Sequence, residues 1–195
     1  MEDLLRLAEL RQARARQVVE MSGVPAAWKA IGAEVVPVGS LRTGLLINHR
    51  DIDFHIYTGE LDPAASFRAV ARICANPAVT GMEFRNLAAT EECCFEFHVS
   101  LRDERGDLWR IDMIQIRRGS KYDGFFETVA DRIRAVLTPE TKRTILALKC
   151  AAPESARIMG IEYCRAVIEC GVRSWPEFIA WRAVNPVSGI LTWRP

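Results

Sequence analysis

Residues 39–57 read GSLRTGLLINHRDIDFHIY and place two acids at the head of an apolar segment. Side chains alternate along a strand, so Asp51 and Asp53 share one face. Ile52, Phe54 and Ile56 point the other way and require a core. Two hard oxygen ligands on one face suit Mg²⁺, which takes one or two carboxylates plus substrate phosphates rather than an all-protein cage. The Gly39-Ser40 turn upstream offers backbone N–H groups to those phosphates.

The surrounding chain alternates helical and extended patterns. Residues 2–21 predict an amphipathic helix with Leu4, Leu7, Ala8, Ala15 and Val18 on one face. Arg11 is the one polar interruption of that face. A short helix is expected over 26–31 and a strand over 34–38, running into Gly39-Ser40. Ser40 is expected to cap a short helix over 41–46. A second strand covers 52–58, and Asp62-Pro63 opens a helix to about residue 75. Strands follow over 82–87, 94–101 and 108–116, the last two joined by the hairpin turn Asp103-Glu104-Arg105-Gly106.

From Tyr122 onward the pattern becomes helical. Phe125, Phe126, Val129, Ile133 and Leu137 mark one helix, and Thr138-Pro139-Glu140 begins another that carries Ile145, Leu148 and Lys149. A third is expected after Pro153, ending at Gly171, and a last one runs from Trp175 to about Val184. The expected fold is therefore α+β: a mixed sheet with flanking helices and a helical C-terminal region. Residues 1–120 form the expected catalytic domain, and 121–195 the helical region completing the cleft.

Composition narrows the class. The 26 basic and 25 acidic residues leave a formal charge of +1, which argues against a broad electrostatic nucleic-acid surface. The first residues lack the continuous apolar stretch of a signal peptide or membrane span, so the expected compartment is the cytoplasm. The six cysteines contain no CxxC and are expected to be reduced and mostly buried rather than zinc ligands.

Asp112 lies within the apolar strand Arg110-Ile111-Asp112-Met113-Ile114. An acid there is expensive to bury unless it is paired or binds a metal. Facing Asp51 and Asp53, it makes a third carboxylate, and three carboxylates can hold two divalent ions for in-line phosphoryl or nucleotidyl transfer. A salt bridge to Arg110 is the plainer use of the same residue.

The ordered set of strand, Gly39-Ser40, ten residues, Asp51-Ile52-Asp53-Phe54 and a later strand acid resembles the polymerase β-type nucleotidyltransferase superfamily. The likeness is strong over residues 34–58, fair to 116 and vague beyond. It implies that Gly39 and Ser40 hold the β- and γ-phosphates of an NTP. It implies too that Asp51 and Asp53 ligate Mg²⁺ or Mn²⁺, and that Asp112 completes the metal site or deprotonates the acceptor hydroxyl. Leu45, Leu46 and Ile47 are more apolar than the same loop in many members, which suggests a loop packed beneath something.

Around this centre, Arg50 and Lys149 are candidate phosphate contacts, and His49 and Lys142 are more distant ones. His55 shares the face of Asp53, where a satisfied hydrogen bond is its ordinary use. Glu96 and His98 line the Asp112 cleft only if the hairpin register brings them there. Tyr122, Trp175 and Trp181 are candidates to stack on a base, with core packing their default. The expected partners are an NTP and a hydroxyl-bearing acceptor, a small molecule or protein before a nucleic acid. No membrane is expected, and a homodimer is left open. A nucleotide-binding regulatory relative with little turnover, acting through a protein partner, is the second reading.

Overall fold

The computed structural model describes residues 4–153, 155–187, 189 and 191–195. The chain begins with α1 (Leu4–Ser22), α2 (Val24–Lys29), β1 (Glu34–Pro37), α3 (Gly39–Thr43), β2 (Asp51–Thr58) and α4 (Pro63–Cys74). Strands β3 (Val79–Asn86), β4 (Cys94–Arg102) and β5 (Leu108–Arg117) follow. Helices α5 (Phe125–Val136), α6 (Pro139–Ala151), α7 (Gly160–Ile168) and α8 (Trp175–Val184) complete it. The five strands form one sheet in the order β1-β2-β5-β4-β3. Among the described residues only β2 and β5 pair in parallel, so the sheet is mixed and the class α+β.

Period-2 alternation decides which face is dry. Ile52, Phe54 and Ile56 of β2 join Phe97 and Val99 of β4 and Ile111 and Met113 of β5 in one core. Trp28 of α2 and Ala69, Val70 and Ile73 of α4 belong to the same core. Trp28 meets Phe97 edge-on at 5.5 Å between centroids, and its indole N–H donates to Met113 Sδ at 3.1 Å. The polar positions of β2, β5 and β4 are thereby left on the opposite face.

A second core lies among the C-terminal helices, around Ile133, Ile145, Leu146, Tyr163, Val167 and Phe178. Tyr163 stacks on Phe178 at 4.7 Å. Two segments belong to both cores. Helix α1 gives Ala15 and Val18 to the sheet core and Ala8 to the helical one. In the loop after α3, Leu46 enters the sheet core while Leu45 and Ile47 enter the helical core. That double packing is why the loop is apolar.

Most expected elements form near their expected bounds, and the local causes are visible. Asp62 accepts a hydrogen bond from Ala64 N–H at 2.9 Å, and Thr138 caps α6 reciprocally with Thr141. The residues expected to begin α1, at position 2, lie outside the described residues. The buried stripe of α1 is Ala8, Gln12, Ala15, Val18 and Ser22, with Leu4 and Leu7 only half-buried. Gln12 is buried because its amide donates to Ser40 O at 3.0 Å. Helix α3 starts at Gly39, so Ser40 lies inside it instead of capping it. Helix α7 starts at Gly160 rather than after Pro153, because Glu162 takes the Met159 N–H at 2.8 Å and defines the first turn there. All six cysteines are free, but only Cys94 and Cys164 are buried. Cys74, Cys150 and Cys170 are exposed, against the expectation. No helix among the described residues is long and apolar enough to cross a membrane.

Truncating Phe97, which contacts Trp28, Phe67, Phe84 and Phe95, tests the sheet core. Phe97→Ala is expected to cost about 3–5 kcal/mol in urea unfolding. The exposed Leu10→Ala control should stay within roughly 0.5 kcal/mol.

Candidate active site

The parallel register of β2 and β5 sets Asp53 directly beside Asp112, and Asp51 beside Arg110. Like charges opposite one another destabilise a sheet, so this pairing has a cost that the fold must offset. Next to it, Val38 N–H donates to Asp53 O at 2.9 Å and brings the start of α3 against the strand. Gly39 occupies φ +58°, where L residues are strained, and a Cβ built there would collide with the Asp53 carboxylate. Glycine is therefore required twice at this position, by backbone and by contact.

The carboxylates are unequally satisfied. Asp112 Oδ1 meets His98 Nδ1 at 2.6 Å and accepts from Arg110 Nε at 2.7 Å. Neither partner engages Oδ2. Among the described residues no donor bonds the side chains of Asp51 or Asp53. Burial, with the charges of Asp112 and Asp51 adding to it, pushes the half-buried Asp53 carboxyl up to about 7, against an opposing pull from Lys149. Asp51 is more exposed as a residue, yet its carboxyl is drawn partly out of water and is raised too, with Asp112 contributing. Crowded, undonated carboxylates of this kind are what a divalent cation would relieve, and the all-oxygen donor set fits Mg²⁺ or Mn²⁺.

Beside the acids lies a cavity of about 340 Å³, and Gly39, Ser40, Asp53, Asp112 and Lys149 are in its wall. Lys149 is buried, and its ammonium donates to Ser40 Oγ at 2.9 Å and to Leu45 O at 2.8 Å. Burial pulls the ammonium below its ordinary value, while Cys164, Asp53 and Asp51 pull it back. Gly160, at the start of α7, closes over Ser40, where a Cβ would lie 3.7 Å from the hydroxyl. Arg42 fastens α3 to α5 through a two-pronged bond to Asp131 at 2.9 and 2.7 Å. The rest of the wall is largely apolar, with Phe126, Ile133, Ile145 and Ile161.

Five of the seven expected site residues thus share one cavity. Asp51 and Arg50 do not line it. They face an adjoining hollow with Arg110, and Arg50 is ion-paired to Asp107 at 3.0 Å. His49 is exposed in the same hollow. Lys142 lines a separate depression with Glu9 and Arg16. His55 is satisfied as expected: its Nδ1 lies 3.3 Å from Glu127 Oε1 and its ring sits edge-on to Phe126 at 5.0 Å. Trp175 and Trp181 pack on the helical core, and Tyr122 packs on Phe125 and Phe126.

The hairpin register pairs His98 with Asp112, and His98 Nε2 lies 3.5 Å from Glu96 Oε2. The sequence offered His98 only as a conditional neighbour, because a one-residue slip reverses the face. Nothing in the sequence marks Gln12 or Arg42 as part of this site. Their partners lie 28 and 89 residues away, and nothing local marks the pairing.

No protein-family model matches the chain, and no curated protein matches it by sequence. Solved structures do. The RNA terminal uridylyl transferase Cid1 aligns at TM-score 0.56 and 15% identity, over 80% of this chain and 46% of its own. A cytoplasmic RNA terminal U-transferase aligns at 0.52 and 13%, over 85% and 51%. The non-canonical poly(A) polymerase complex GLD-2–GLD-3 aligns at 0.54 and 12%, over 90% and 61%. The chain spans about half the length of the first two of these structures. At such identities the likeness is one of fold, and the fold is the polymerase β-like nucleotidyltransferase core.

Proposed function

We propose that the protein transfers a nucleoside monophosphate from an NTP to a hydroxyl-bearing acceptor and releases pyrophosphate. The observation carrying this reading is the side-by-side pairing of Asp53 and Asp112 against a glycine that only an undecorated backbone can supply. Residues 1–120 act as the catalytic domain, and 121–195 supply the opposite wall of the cavity. Asp51, Asp53 and Asp112 would hold Mg²⁺ or Mn²⁺. A pair of such ions supplies activation of the attacking oxygen and neutralisation of charge on the leaving group.

The chain's own residues do the rest. The backbone around Gly39, the Ser40 hydroxyl and the Lys149 ammonium bind the β- and γ-phosphates. Lys149 suits this role because it is already desolvated and held by two acceptors, so little ordering remains to be done on binding. His98 and Arg110 hold Asp112 through Oδ1 and leave Oδ2 to take the acceptor's proton. The acceptor oxygen then bonds to the α-phosphorus as the bond to the β-phosphate's bridging oxygen breaks. The apolar wall from α5, α6 and α7 excludes water, which limits hydrolysis of the NTP.

Incubation with labelled NTPs, Mg²⁺ or Mn²⁺ and a broad acceptor panel should release pyrophosphate and label an acceptor. Asp51→Ala and Asp53→Asn should each lower turnover by at least about 100-fold, the loss of a few kcal/mol of charge stabilisation. Absence of labelling and of pyrophosphate, with NTP binding unchanged in Asp51→Ala, sinks the enzyme reading and favours a regulatory nucleotide binder.

A second expectation follows from the raised Asp53 carboxyl. Its folded value near 7 exceeds the unfolded carboxylate value, so the native state binds the extra proton between about pH 4 and 7. Metal-free stability therefore falls as pH rises through that window. At pH 8 Asp53→Asn should raise the apo Tm by roughly 3–6 °C, corresponding to about 1–2 kcal/mol, and at pH 5 by much less. Mg²⁺ or Mn²⁺ should stabilise the wild type more at pH 8 than at pH 5 and have little effect on Asp53→Asn. Calorimetric scans with and without metal measure both.

A further inference from the structure

The carboxylates separate two recesses. Asp53 and Asp112 border the cavity that contains Gly39, Ser40 and Lys149. Asp51 borders a second hollow, of about 770 Å³, with Arg11, Asn48, His49, Arg50 and Arg110. An in-line displacement needs donor and acceptor on opposite sides of the reacting phosphorus. With the donor in the first recess, the second is where an acceptor would enter.

The charges of this hollow are unevenly spent. Three arginines line it against the one carboxylate of Asp51. Arg110 is committed to Asp112 at 2.7 Å, and Arg50 gives one terminal nitrogen to Asp107 at 3.0 Å. Arg11, which interrupts the apolar face of α1, has no ion pair among the described residues. The Nε atoms of both Arg11 and Arg50 are buried without a hydrogen-bond partner. Among the described residues no protein group accepts from the terminal nitrogens of Arg11 or from the second terminal nitrogen of Arg50, which leaves those donors for an anion in the hollow. Asn48 is anchored beside them, donating to Lys149 O at 2.9 Å, so the loop carrying Arg50 is tied to the donor side.

We propose that this hollow seats a phosphate group carried by a small hydroxyl-bearing acceptor, with Arg11 and Arg50 as its ligands. The proposal rests on the nucleotidyl-transfer reading and names the acceptor class for it. Guanidinium forks match phosphate oxygens in a bidentate way that a lysine cannot. A small acceptor fits better than a polynucleotide because the formal charge of the chain is only +1 and the neighbouring Arg14 is already spent on Asp103 and Asp107, so no run of free cations continues from the hollow to follow a phosphate chain.

The test is an NMR titration of ¹⁵N-labelled protein, following the arginine Nε–H and the backbone amide resonances. It is run with Mg²⁺ alone and with Mg²⁺ plus a non-hydrolysable NTP analogue. Glycerol 1-phosphate should shift the Arg11 and Arg50 signals and saturate at a concentration at least about tenfold below that needed for glycerol, the worth of one charge-assisted hydrogen bond. Arg11→Gln should weaken glycerol 1-phosphate binding by about tenfold or more, with Arg11→Lys intermediate, while affinity for the NTP analogue stays within about twofold.

Equal binding of glycerol and its phosphate overturns the proposal, as do shifts confined to Ser40 and Lys149. Tighter binding of a 3′-hydroxyl oligonucleotide than of glycerol 1-phosphate at Arg11 and Arg50 overturns it in favour of a nucleic-acid acceptor. Failure of the NTP analogue to bind beside Ser40 counts against the transfer reaction itself, while the Mg²⁺-only titration still reads the phosphate site.

Discussion

A buried ammonium holds the two halves of this molecule in register. Lys149 projects from α6 into a dry site and gives its protons to Ser40 Oγ and Leu45 O. A desolvated charge of this kind is tolerated only with good partners, and removing one partner leaves an expensive unpaired group. The short helix α3 therefore cannot drift from α6. Gln12 ties it to α1, Arg42 to α5, and the buried loop after it is shared between the two cores. The turn that would meet phosphate is thus fixed from four sides before any ligand arrives, which is the preorganisation that charge stabilisation needs.

The site built on that support is destabilising by design of its charges. Asp53 and Asp112 sit side by side, and Asp53 has no donor among the described residues, so burial and repulsion raise its carboxyl toward neutrality. The fold tolerates this because the other face of the same strands carries a dry aromatic and aliphatic core. A surplus of hydrophobic burial on one face offsets electrostatic strain on the other. The two guanidinium groups across Asp51 continue the pattern, each with a buried Nε–H that no described protein group accepts.

Much of this was legible in the sequence, and the reasons are local. Alternation around Asp51 and Asp53 assigned β2 and its wet face, and Thr138-Pro139 announced α6 through an N-cap and a pre-set φ. The Gly39-Ser40 turn and the later Asp112 were recognisable because backbone conformation and strand alternation depend on near neighbours. Where tertiary partners intervened, local reasoning slipped. Ser40 was expected to cap α3 but spends its hydroxyl on Lys149, 109 residues away. Lys149 looks like a surface lysine by type and becomes a buried one by packing. Arg50 abuts Asp51 in sequence, and both face the hollow away from Ser40, where Arg50 is held by Asp107 across the sheet.

The sequence by itself determined the order of elements, the common face of Asp51 and Asp53, and the glycine required beside them. These follow from the period of the strand and the steric freedom of one residue. Only the tertiary structure decided that Asp112 stands next to Asp53 and that His98 meets Asp112. It also decided that the acids divide a Ser40–Lys149 cavity from an Arg11–Arg50 hollow. Those are matters of strand register and of helices closing over a sheet. Both arise from contacts between residues far apart in the chain, where no local periodicity carries the information.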